Sequence, residues 1–363
     1  MAQKTVMLYL NSLGRGGAER VFVQLAERFQ QNGYRSILVT SFTPPDHVEY
    51  PLSDKVTRYN MEPELIVQSR LKRNLSRIGK LRRLIRTCRP DILITCMQEP
   101  NFRSMVASMG LPVKRLVSVC NASEKEYPGR LGWIVGKVLM PMAEGCVFQT
   151  EQEKRWFPRR LQKKSRIIMN QVSESFFAVR RSGPRKDIVT VGRLNEQKNQ
   201  ALLIRAFARI SDKTGENLLL FGVGELREEL QALIDSLGLS SRVKLMGLCA
   251  NVADVIKDAR LFVLSSDWEG LPNALLEAMA LGLPCVCTDC LGGGPAMVID
   301  QGVSGLLTPA GDEAALAAAM LRLLQHPDEA EQMGEAARRK AKSFHPDEVF
   351  KHWQQYVEDI LNA

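Results

Sequence analysis

Short apolar runs alternate with amphipathic stretches along the first half of the chain. The run from Lys4 to Leu10 predicts a buried strand, and Gly14, Gly16 and Gly17 predict a turn directly after it. A helix should follow from Ala18, because apolar residues recur at helical spacing beyond that point. The alternation continues with predicted strands at 35–41, 91–96, 115–120 and 145–149 and predicted helices at about 64–88, 101–109 and 130–143. Such alternation favours a parallel sheet covered by helices on both faces.

The same plan restarts in the second half, after a polar segment at 180–186 that contains a Gly-Pro pair and is typical of a linker. A strand at 187–191, then Gly192, then a helix with one apolar face from Leu202 to Ile210 open this half. Further predicted strands lie at 217–221, 242–246, 260–264 and 284–288, and further helices at 225–237 and 273–281. We therefore predict an α/β protein of two facing, doubly wound, Rossmann-like domains with ligands at the carboxyl ends of the strands.

The predicted first domain spans residues 1–182 and the second spans residues 183–343. A last helix, from Pro346 to Leu361, precedes no strand. Residues from about 344 to 363 are therefore expected to cross back onto the first domain.

Composition restricts the class of protein. With 363 residues, 45% hydrophobic and 25% charged, the chain is ordinary globular material that can bury two cores. Its eight cysteines form no framework of a small secreted domain and fit reduced thiols in a cytosol. Neither a signal h-region nor an apolar run of about 20 residues is visible, so we expect a cytoplasmic protein, soluble or on a membrane surface. An aromatic content of 6% gives little support to a nucleic-acid surface.

The net charge of +9 is unevenly distributed. Residues 1–182 hold 31 Lys/Arg and 15 Asp/Glu, whereas residues 183–363 hold 18 and 25. Nine basic residues and no acidic ones lie between Arg70 and Arg89, with apolar residues at helical spacing, and a second basic run extends from Lys154 to Arg166. The first run is either a membrane- or acceptor-facing helix, which we favour, or a core-packing helix with a solvated outer face. The predicted membrane or acceptor residues are Lys72, Arg73, Arg77, Lys80, Arg82, Arg83 and Arg86.

The strongest candidate chemistry lies in residues 265–280, SSDWEGLPNALLEAMA. Pro272 suits the first turn of a helix, and the free N–H groups at that start form an anion site suited to a diphosphate. Glu269 lies just before the helix and Glu277 lies within it, so one carboxylate could bind sugar hydroxyls while the other binds ribose hydroxyls. The alternative is a surface helix with solvated glutamates.

A second candidate is the turn after Val191. Gly192 at the end of a strand lets a phosphate approach the backbone, and Arg193 and Lys198 would place two positive charges on it. These charges matter most in the transition state, when a departing diphosphate gains negative charge. Taken alone, such a pair is more often solvated.

Two glycine turns resemble the dinucleotide-binding fingerprint GxGxxG, but neither matches it completely. The third glycine of GxGxxG would fall at Glu19 in the first turn and at Arg227 after Gly222-x-Gly224, so binding of NAD is weakly supported. Gly16 and Gly17 could instead let the backbone touch a donor, or could form a purely structural turn.

The turn Gly16-Gly17-Ala18-Glu19, the run Gly192-Arg193-Leu194 with Lys198-Asn199, and the segment EGLPNALLEAMALGLP together resemble glycosyltransferase family 4. This family comprises retaining enzymes of the GT-B fold, with the donor held in a cleft between two domains. The resemblance covers nearly the whole chain and is more specific in its second half.

The resemblance implies a role for each matching residue. Arg193 and Lys198 would bind the donor diphosphate, Glu269 would contact the transferred sugar, and Glu277 would contact the ribose. Backbone near Leu248 would meet the base. Backbone amides would meet phosphates and sugar at the positions Gly16, Gly17, Leu271, Asn273 and Ala274. Catalysis would need no metal and no cofactor, which agrees with the absence of a DxD motif.

The sequence departs from the family pattern in two places. No histidine occurs between His47 and His326, so Asn121 is the candidate to replace the first-domain histidine that many members carry. The run from Gly292 to Met297 has the expected glycines and lacks the Arg and Glu that often follow. Cys285, Cys287 and Cys290 have no fourth ligand nearby in sequence, so no metal site is predicted.

The sequence therefore predicts a retaining glycosyltransferase, peripheral on the inner face of the plasma membrane. It would move a hexose or N-acetylhexosamine from a UDP-sugar to a polyprenyl-diphosphate-linked glycan or a surface polysaccharide precursor. Its partners would be the nucleotide-sugar donor, a lipid-linked or glycan acceptor and an anionic membrane surface, with no nucleic acid. The alternatives are a UDP-sugar epimerase of similar architecture and a non-catalytic nucleotide-sugar-binding subunit.

Overall fold

A computed structural model of the protein describes residues 3–14, 16–44, 48–62, 69–249 and 251–363. The contacts of the chain divide it into two compact units, Met1–Met169 with Val349–Ala363, and Asn170–Glu348. The segment 180–186 lies inside the second unit, where the Ser182 N–H donates to Asp258 over 2.8 Å. The division between the units falls upstream of that segment, after Met169.

The first unit contains a sheet of seven strands, all paired in parallel. They are β1 (Thr5–Leu10), β2 (Arg35–Thr40), β3 (Thr57–Asn60), β4 (Ile92–Cys96), β5 (Lys114–Ser118), β6 (Gly145–Phe148) and β7 (Ser165–Ile167). Their order in the sheet is β3-β2-β1-β4-β5-β6-β7. The inner strands are buried on both faces and read as continuous apolar runs. The edge strands β3 and β7 are largely polar and contain no fully buried residue, which is why hydrophobic patterning does not predict them.

Helices cover both faces of this sheet. They are α1 (Gly17–Gln31), α2 (Arg70–Cys88), α3 (Gln98–Ala107), α4 (Ser123–Glu126), α5 (Gly129–Ile134), α6 (Glu151–Trp156) and α7 (Arg159–Gln162). After α5 the chain continues through a π-helical turn (Val135–Leu139) and a 3-10 turn (Met140–Met142), and we call residues 129–142 the α5 segment. The predicted start of the second helix, at 64–68, lies outside the described residues.

The second unit contains six parallel strands in the order β10-β9-β8-β11-β12-β13. They are β8 (Lys186–Val191), β9 (Leu218–Phe221), β10 (Val243–Gly247), β11 (Ala259–Leu264), β12 (Cys285–Asp289) and β13 (Leu306–Pro309). The helices are α8 (Glu174–Ala178), α9 (Gln200–Ala208), α10 (Arg227–Ser236), α11 (Val252–Ile256), α12 (Asn273–Ala280), α13 (Gly294–Val298), α14 (Glu313–Gln325) and α15 (Pro327–Ala341), with 3-10 turns at Glu196–Lys198 and Lys342–Phe344. The predicted α/β class, with two doubly wound parallel sheets, is confirmed.

The last helix, α16 (Pro346–Asn362), packs on the first unit over most of its length. The ring of Phe350 lies 5.1 Å from that of Phe29 in α1, in an edge-to-face arrangement. Gly145 makes room for this helix, because a Cβ there would lie 2.6 Å from both Ile360 and the hydroxyl of Tyr356. In the part of the chain that the structure describes, every helix is too short or too polar to cross a bilayer.

Strand order points to one edge of each sheet. It reverses around β1, which lies between β2 and β4, and around β8, which lies between β9 and β11. At such a switch point the loops after neighbouring strands run in opposite directions and leave a crevice at the carboxyl ends. The loops after β8 and β11 contain Arg193, Lys198 and Glu269, the charged candidate residues that precede α12.

Candidate functional site

The loop after β8 is built on close backbone packing. Gly192 follows the strand, and the alkyl chain of Lys198 lies over it, because a Cβ on Gly192 would be 3.3 Å from Lys198 Cε. A Cβ on Gly222, after β9, would be 1.9 Å from the Gly192 carbonyl oxygen, and one on Gly224 would be 2.1 Å from that of Leu194. The glycine pair that fails as a dinucleotide fingerprint therefore lets two loops pass backbone against backbone.

Several hydrogen bonds tie the loop after β8 to the loop after β11. The Asp267 N–H donates to the Gln197 carbonyl over 2.9 Å, and the Ser265 hydroxyl donates to the Lys198 carbonyl over 3.0 Å. Asn199 donates through Nδ2 to Asp267 Oδ1 over 2.9 Å. Since β8 and β11 are neighbours, these bonds join segments that are about seventy positions apart in the chain into one rigid edge.

At this edge the Lys198 ammonium forms an ion pair with Glu269 Oε1. The Ser266 hydroxyl donates to the same oxygen over 2.7 Å, and Gln197 Nε2 lies 3.3 Å from Oε2. The Glu269 side chain is 7% exposed and that of Lys198 is 18% exposed. Three donors thus hold an almost buried carboxylate, while the ammonium keeps partial access to solvent.

The start of α12 lies next to this carboxylate in the chain. Pro272 precedes the first residue of the helix and offers no side-chain acceptor to the N–H groups of the first turn. Asn170 donates to the Leu271 carbonyl over 3.1 Å and to Asn273 Oδ1 over 2.9 Å, which fixes the loop and the Asn273 amide. Glu277 lies in the second turn of α12 and is buried.

The loop before α12 packs against the start of α13. A Cβ on Gly294 would lie 1.6 Å from the carbonyl oxygen of Gly270, so only glycine fits at that contact. The Glu269 N–H also donates to the Leu291 carbonyl over 2.8 Å. The segment after β12 therefore positions the loop that contains Glu269, through a close backbone contact and a hydrogen bond.

Other predicted site residues of the second unit are exposed or half-buried. The Arg193 side chain is exposed, and no described side chain holds its guanidinium by a hydrogen bond or an ion pair. Leu248 is 60% exposed and follows Gly247, whose φ of +76° turns the chain at the end of β10. Ala274, in the first turn of α12, is half-buried. The structure thus brings Lys198 and Glu269 into contact and leaves Arg193 and Leu248 unengaged.

The glycine turn of the first unit has a local packing role. A Cβ on Gly16 would lie 2.0 Å from Glu19 Oε2, so the carboxylate folds back over the first turn of α1. An acidic side chain is favourable at a helix N-terminus. Gly17 is exposed at the start of α1.

A buried arginine at the carboxyl ends of β1 and β2 was missed by sequence reasoning. Arg103 of α3 is 1% exposed and donates to Asn11 Oδ1 over 2.7 Å, to Asn74 Oδ1 over 2.9 Å and to Glu99 over 2.6 Å. Its partners are scattered along the chain, so no local motif signals them. The network fixes the loops at this edge of the first sheet.

A buried carboxyl group at the end of β5 was also missed. The Cys120 N–H donates to Glu126 Oε2 over 2.9 Å, while Oε1 is shielded from solvent and has no hydrogen-bond partner among the described residues. Burial raises the pKa of Glu126 to about 7, and burial also raises the pKa of the nearby Cys96 thiol. In sequence, Glu126 stands in a polar stretch that is typical of a solvated loop. Asn121, the predicted histidine substitute, accepts the N–H of Ala122 over 2.9 Å.

The basic residues of α2 divide into three groups. Arg77 is buried and donates to Glu62 over 2.6 Å, so it belongs to the interior of the unit and is wrong as a membrane-facing residue. Lys80 and Arg82 are half-buried and donate to the carbonyl groups of Met61 and Ala107, each over 2.8 Å. Of the remaining four predicted residues, Arg73 is half-buried and the other three, Lys72, Arg83 and Arg86, are exposed.

The clustered cysteines of the second unit are buried thiols. Burial raises the pKa of Cys287 and raises that of Cys290 to about 12, which keeps both protonated. Among the residues that the structure describes, no group of three or more His, Cys, Asp or Glu side chains is placed to hold a metal ion.

Two sequence families match the chain. The family described as "Glycosyltransferase Family 4" matches residues 15–175, and the one described as "Glycosyl transferases group 1" matches residues 171–340. These matches support a glycosyltransferase of GT-B fold, an enzyme that transfers a sugar.

Individual proteins agree with this class. An uncharacterized glycosyltransferase of Methanocaldococcus jannaschii is 27% identical over 341 residues, covering 79% of this chain and 84% of the relative. A GalNAc-alpha-(1->4)-GalNAc-alpha-(1->3)-diNAcBac-PP-undecaprenol alpha-1,4-N-acetyl-D-galactosaminyltransferase of Campylobacter jejuni is 23% identical over 364 residues, covering 99% of both chains. The crystal structure of Anabaena HepE in complex with UDP and glucose superposes with a TM-score of 0.82 at 18% identity, covering 98% of this chain and 100% of the other. The predicted GT-B fold is confirmed.

Proposed function

We propose that the protein is a retaining, metal-independent family 4 glycosyltransferase that moves a hexose or N-acetylhexosamine from a UDP-sugar. The acceptor is a polyprenyl-diphosphate-linked glycan or a surface polysaccharide precursor. The observation that carries the proposal is the ion pair of Lys198 and Glu269, held beside Gly192 at the carboxyl edge of the second sheet. The bound UDP of HepE and the undecaprenol-linked substrate named for the Campylobacter relative support the donor and acceptor classes.

The ion pair is suited to exchange partners when a donor binds. Without donor, Lys198 neutralises the nearly buried Glu269, which would be costly to leave unpaired. A donor diphosphate beside Gly192 attracts the ammonium of Lys198, and Ser266 and Gln197 continue to hold the carboxylate. Glu269 then accepts hydrogen bonds from hydroxyls of the transferred sugar.

Charge at this edge favours departure of the nucleotide. As the bond between the anomeric carbon and the phosphate oxygen breaks, the diphosphate gains negative charge. Lys198, the exposed Arg193 and the N–H groups at the start of α12 stabilise that charge. The acceptor oxygen bonds to the same face of the anomeric carbon, and its proton passes to the departing phosphate, so no protein nucleophile is required.

The membrane part of the proposal rests on α2. Lys72, Arg83 and Arg86 are exposed on the helix, in the half of the chain with a large excess of positive charge. We propose that these residues attract anionic lipid headgroups or the diphosphate of the acceptor, and that the enzyme works at the inner face of the plasma membrane.

The test is release of UDP or GDP from a panel of nucleotide sugars, with and without a lipid-linked acceptor and with a chelator present. Lys198→Ala should lower turnover by about 10²–10³, the range for removal of one preorganised stabilising group, and Arg193→Ala should lower it by less, because no described side chain holds the Arg193 guanidinium in place. Lys213→Ala, which removes an exposed lysine elsewhere on the second unit, is the matched control.

Each outcome separates the alternatives. Full turnover in both variants would overturn the proposal that Lys198 and Arg193 stabilise the departing diphosphate. Loss of activity with chelator would overturn metal independence. An epimerase would instead interconvert donor sugars without acceptor, and a binding subunit would bind UDP without releasing it from any donor. Inversion at the anomeric carbon of the product, measured by NMR, would contradict a retaining mechanism.

A further inference from the structure

The α5 segment exposes large apolar side chains on its outer side. Leu131, Trp133, Val138 and Met142 are 50%, 54%, 48% and 43% exposed. Its inner side is also apolar, since Val135 and Met140 are fully buried in a core cluster with Met105 of α3 and other residues. The packing of the first unit therefore explains one side of this segment and leaves the other facing water. Exposed apolar groups of this size mark an interaction surface.

Basic side chains lie on this segment and on the helix next to it. Arg130 is exposed at its start, and Lys137 lies over the ring of Trp156 with its ammonium 3.7 Å from the ring centre. Helix α7, which packs against the turn at 140–142, exposes Arg159 and Arg160.

Acidic groups also lie near this segment, and they offset only part of the charge. Glu144 is paired with Arg115 over 2.7 Å, whereas Glu124 is exposed and interacts with Lys137. The patch is therefore apolar with a basic rim.

Helix α2 lies on the same face of the sheet. Helix α3 joins the two elements, because Arg82 of α2 donates to the Ala107 carbonyl at the end of α3, and Met105 of α3 packs with the α5 segment. In its first two turns α2 also exposes apolar side chains, Leu71 at 71% and Leu75 at 61%, close to Lys72 in sequence. Helices that connect parallel strands run antiparallel to them, so the N-terminal turns of both elements lie toward the carboxyl ends of the strands.

We infer that this face is a membrane-docking surface, on which Leu131 and Trp133 enter the boundary between headgroups and acyl chains of an anionic bilayer. The inference rests on the proposed function and assigns the insertion to the α5 segment. Tryptophan and leucine with flanking Lys and Arg are the composition of interfacial membrane elements. A second copy of this chain is a poor partner for this face, because two basic rims would oppose each other.

Vesicle binding tests the inference on the full chain. Flotation with mixed phosphatidylcholine–phosphatidylglycerol vesicles should show binding of the wild type, and the double variant Leu131→Ser/Trp133→Ser should bind about tenfold more weakly. Val303→Ser is the control, since Val303 is 61% exposed in the second unit and should not change binding. Trp133 should also give a blue-shifted, bromolipid-quenched emission on binding, and Trp133→Phe should lose that signal.

Unchanged vesicle binding by the double variant would overturn the inference, as would an absence of binding by the wild type. A wild-type dimer that dissociates on the same substitutions would also overturn it, in favour of a protein partner. Release of UDP is also measured with a water-soluble acceptor analogue, because this activity tests the proposed function without requiring membrane binding. The double variant should keep that activity, and failure of the wild type to use any donor would count against the function alone.

Discussion

The two units share one architecture and use charge in opposite ways at the carboxyl ends of their strands. In the second unit, Lys198 and Glu269 form a pair that is held by loops, with the ammonium partly open to solvent. In the first unit, Arg103 is fully enclosed by hydrogen-bond partners, and the Glu126 carboxyl group, which has an oxygen shielded from solvent, has a raised pKa. The first unit places its accessible positive charge on outer helices instead. The comparison shows that the same fold can keep a partly accessible ion pair at the strand ends of one unit and enclose the charged groups at the strand ends of the other.

The largest expected effect concerns Arg77, which lies inside the first unit. Arg77→Ala leaves the carboxylate of Glu62 buried without its partner, so the free energy of unfolding should fall by about 3 kcal/mol or more. Arg83→Ala, on the exposed side of the same helix, should change it by less than about 0.5 kcal/mol. Urea denaturation of both variants measures the difference. Equal changes in the free energy of unfolding would mean that the buried Arg77–Glu62 pair stabilises the first unit no more than the exposed charge of Arg83 does.

Glu126 sharpens the comparison through pH. The folded state holds its proton more tightly than the unfolded state, because burial raises the pKa from 4.5 to about 7. Its contribution to stability is therefore complete below the unfolded pKa and is lost as the pH rises through about 7. Relative to wild type, Glu126→Gln should be more stable at about pH 8 than at about pH 5, by up to about 3 kcal/mol.

Thermal unfolding across that range measures the difference between the two proteins. Glu153 is buried nearby, and its pKa is raised by burial and further by the charge of Glu126, so the Glu126→Gln variant loses that part of the Glu153 shift as well. A constant difference between variant and wild type at every pH would contradict a titrating Glu126.

The smallest effect concerns a glycine on α2. Gly79 lies in the helix interior with open space around its Cα, so Gly79→Ala should raise stability by about 0.5–1 kcal/mol. The same substitution at Gly294 should destabilise, because its Cβ would meet the carbonyl of Gly270 in the site loop of the second unit. Thermal denaturation measures the sign of the stability change for both variants. Destabilisation by Gly79→Ala would show that α2 has a packing partner on that side.

Hydrophobic patterning predicts the buried strands and the two-sheet plan, since inner parallel strands are continuous apolar runs. It does not predict the exposed edge strands β3 and β7. The motifs that contain Lys198 and Glu269 are local and therefore visible in sequence. Contacts that hold them are not, because the partners come from loops after different strands.

Burial of individual charges is equally hidden from the sequence. Periodicity places Arg77 on the flank of an amphipathic helix, where a basic residue can point inward or outward. Its inward direction depends on Glu62, which lies outside the helix. Glu126 becomes unusual only when the end of β5 closes around it.

The return of α16 to the first unit has a consequence for biosynthesis. Residues 349–363 complete the core around Phe29, yet the ribosome makes them after the entire second unit. At synthesis rates of about 5–20 residues per second, the apolar surface of α1 waits some tens of seconds for its cover. The amino-terminal unit is thus the first to emerge from the ribosome and the last to finish folding. Until residues 349–363 are made, its uncovered apolar surface is accessible to chaperones and proteases.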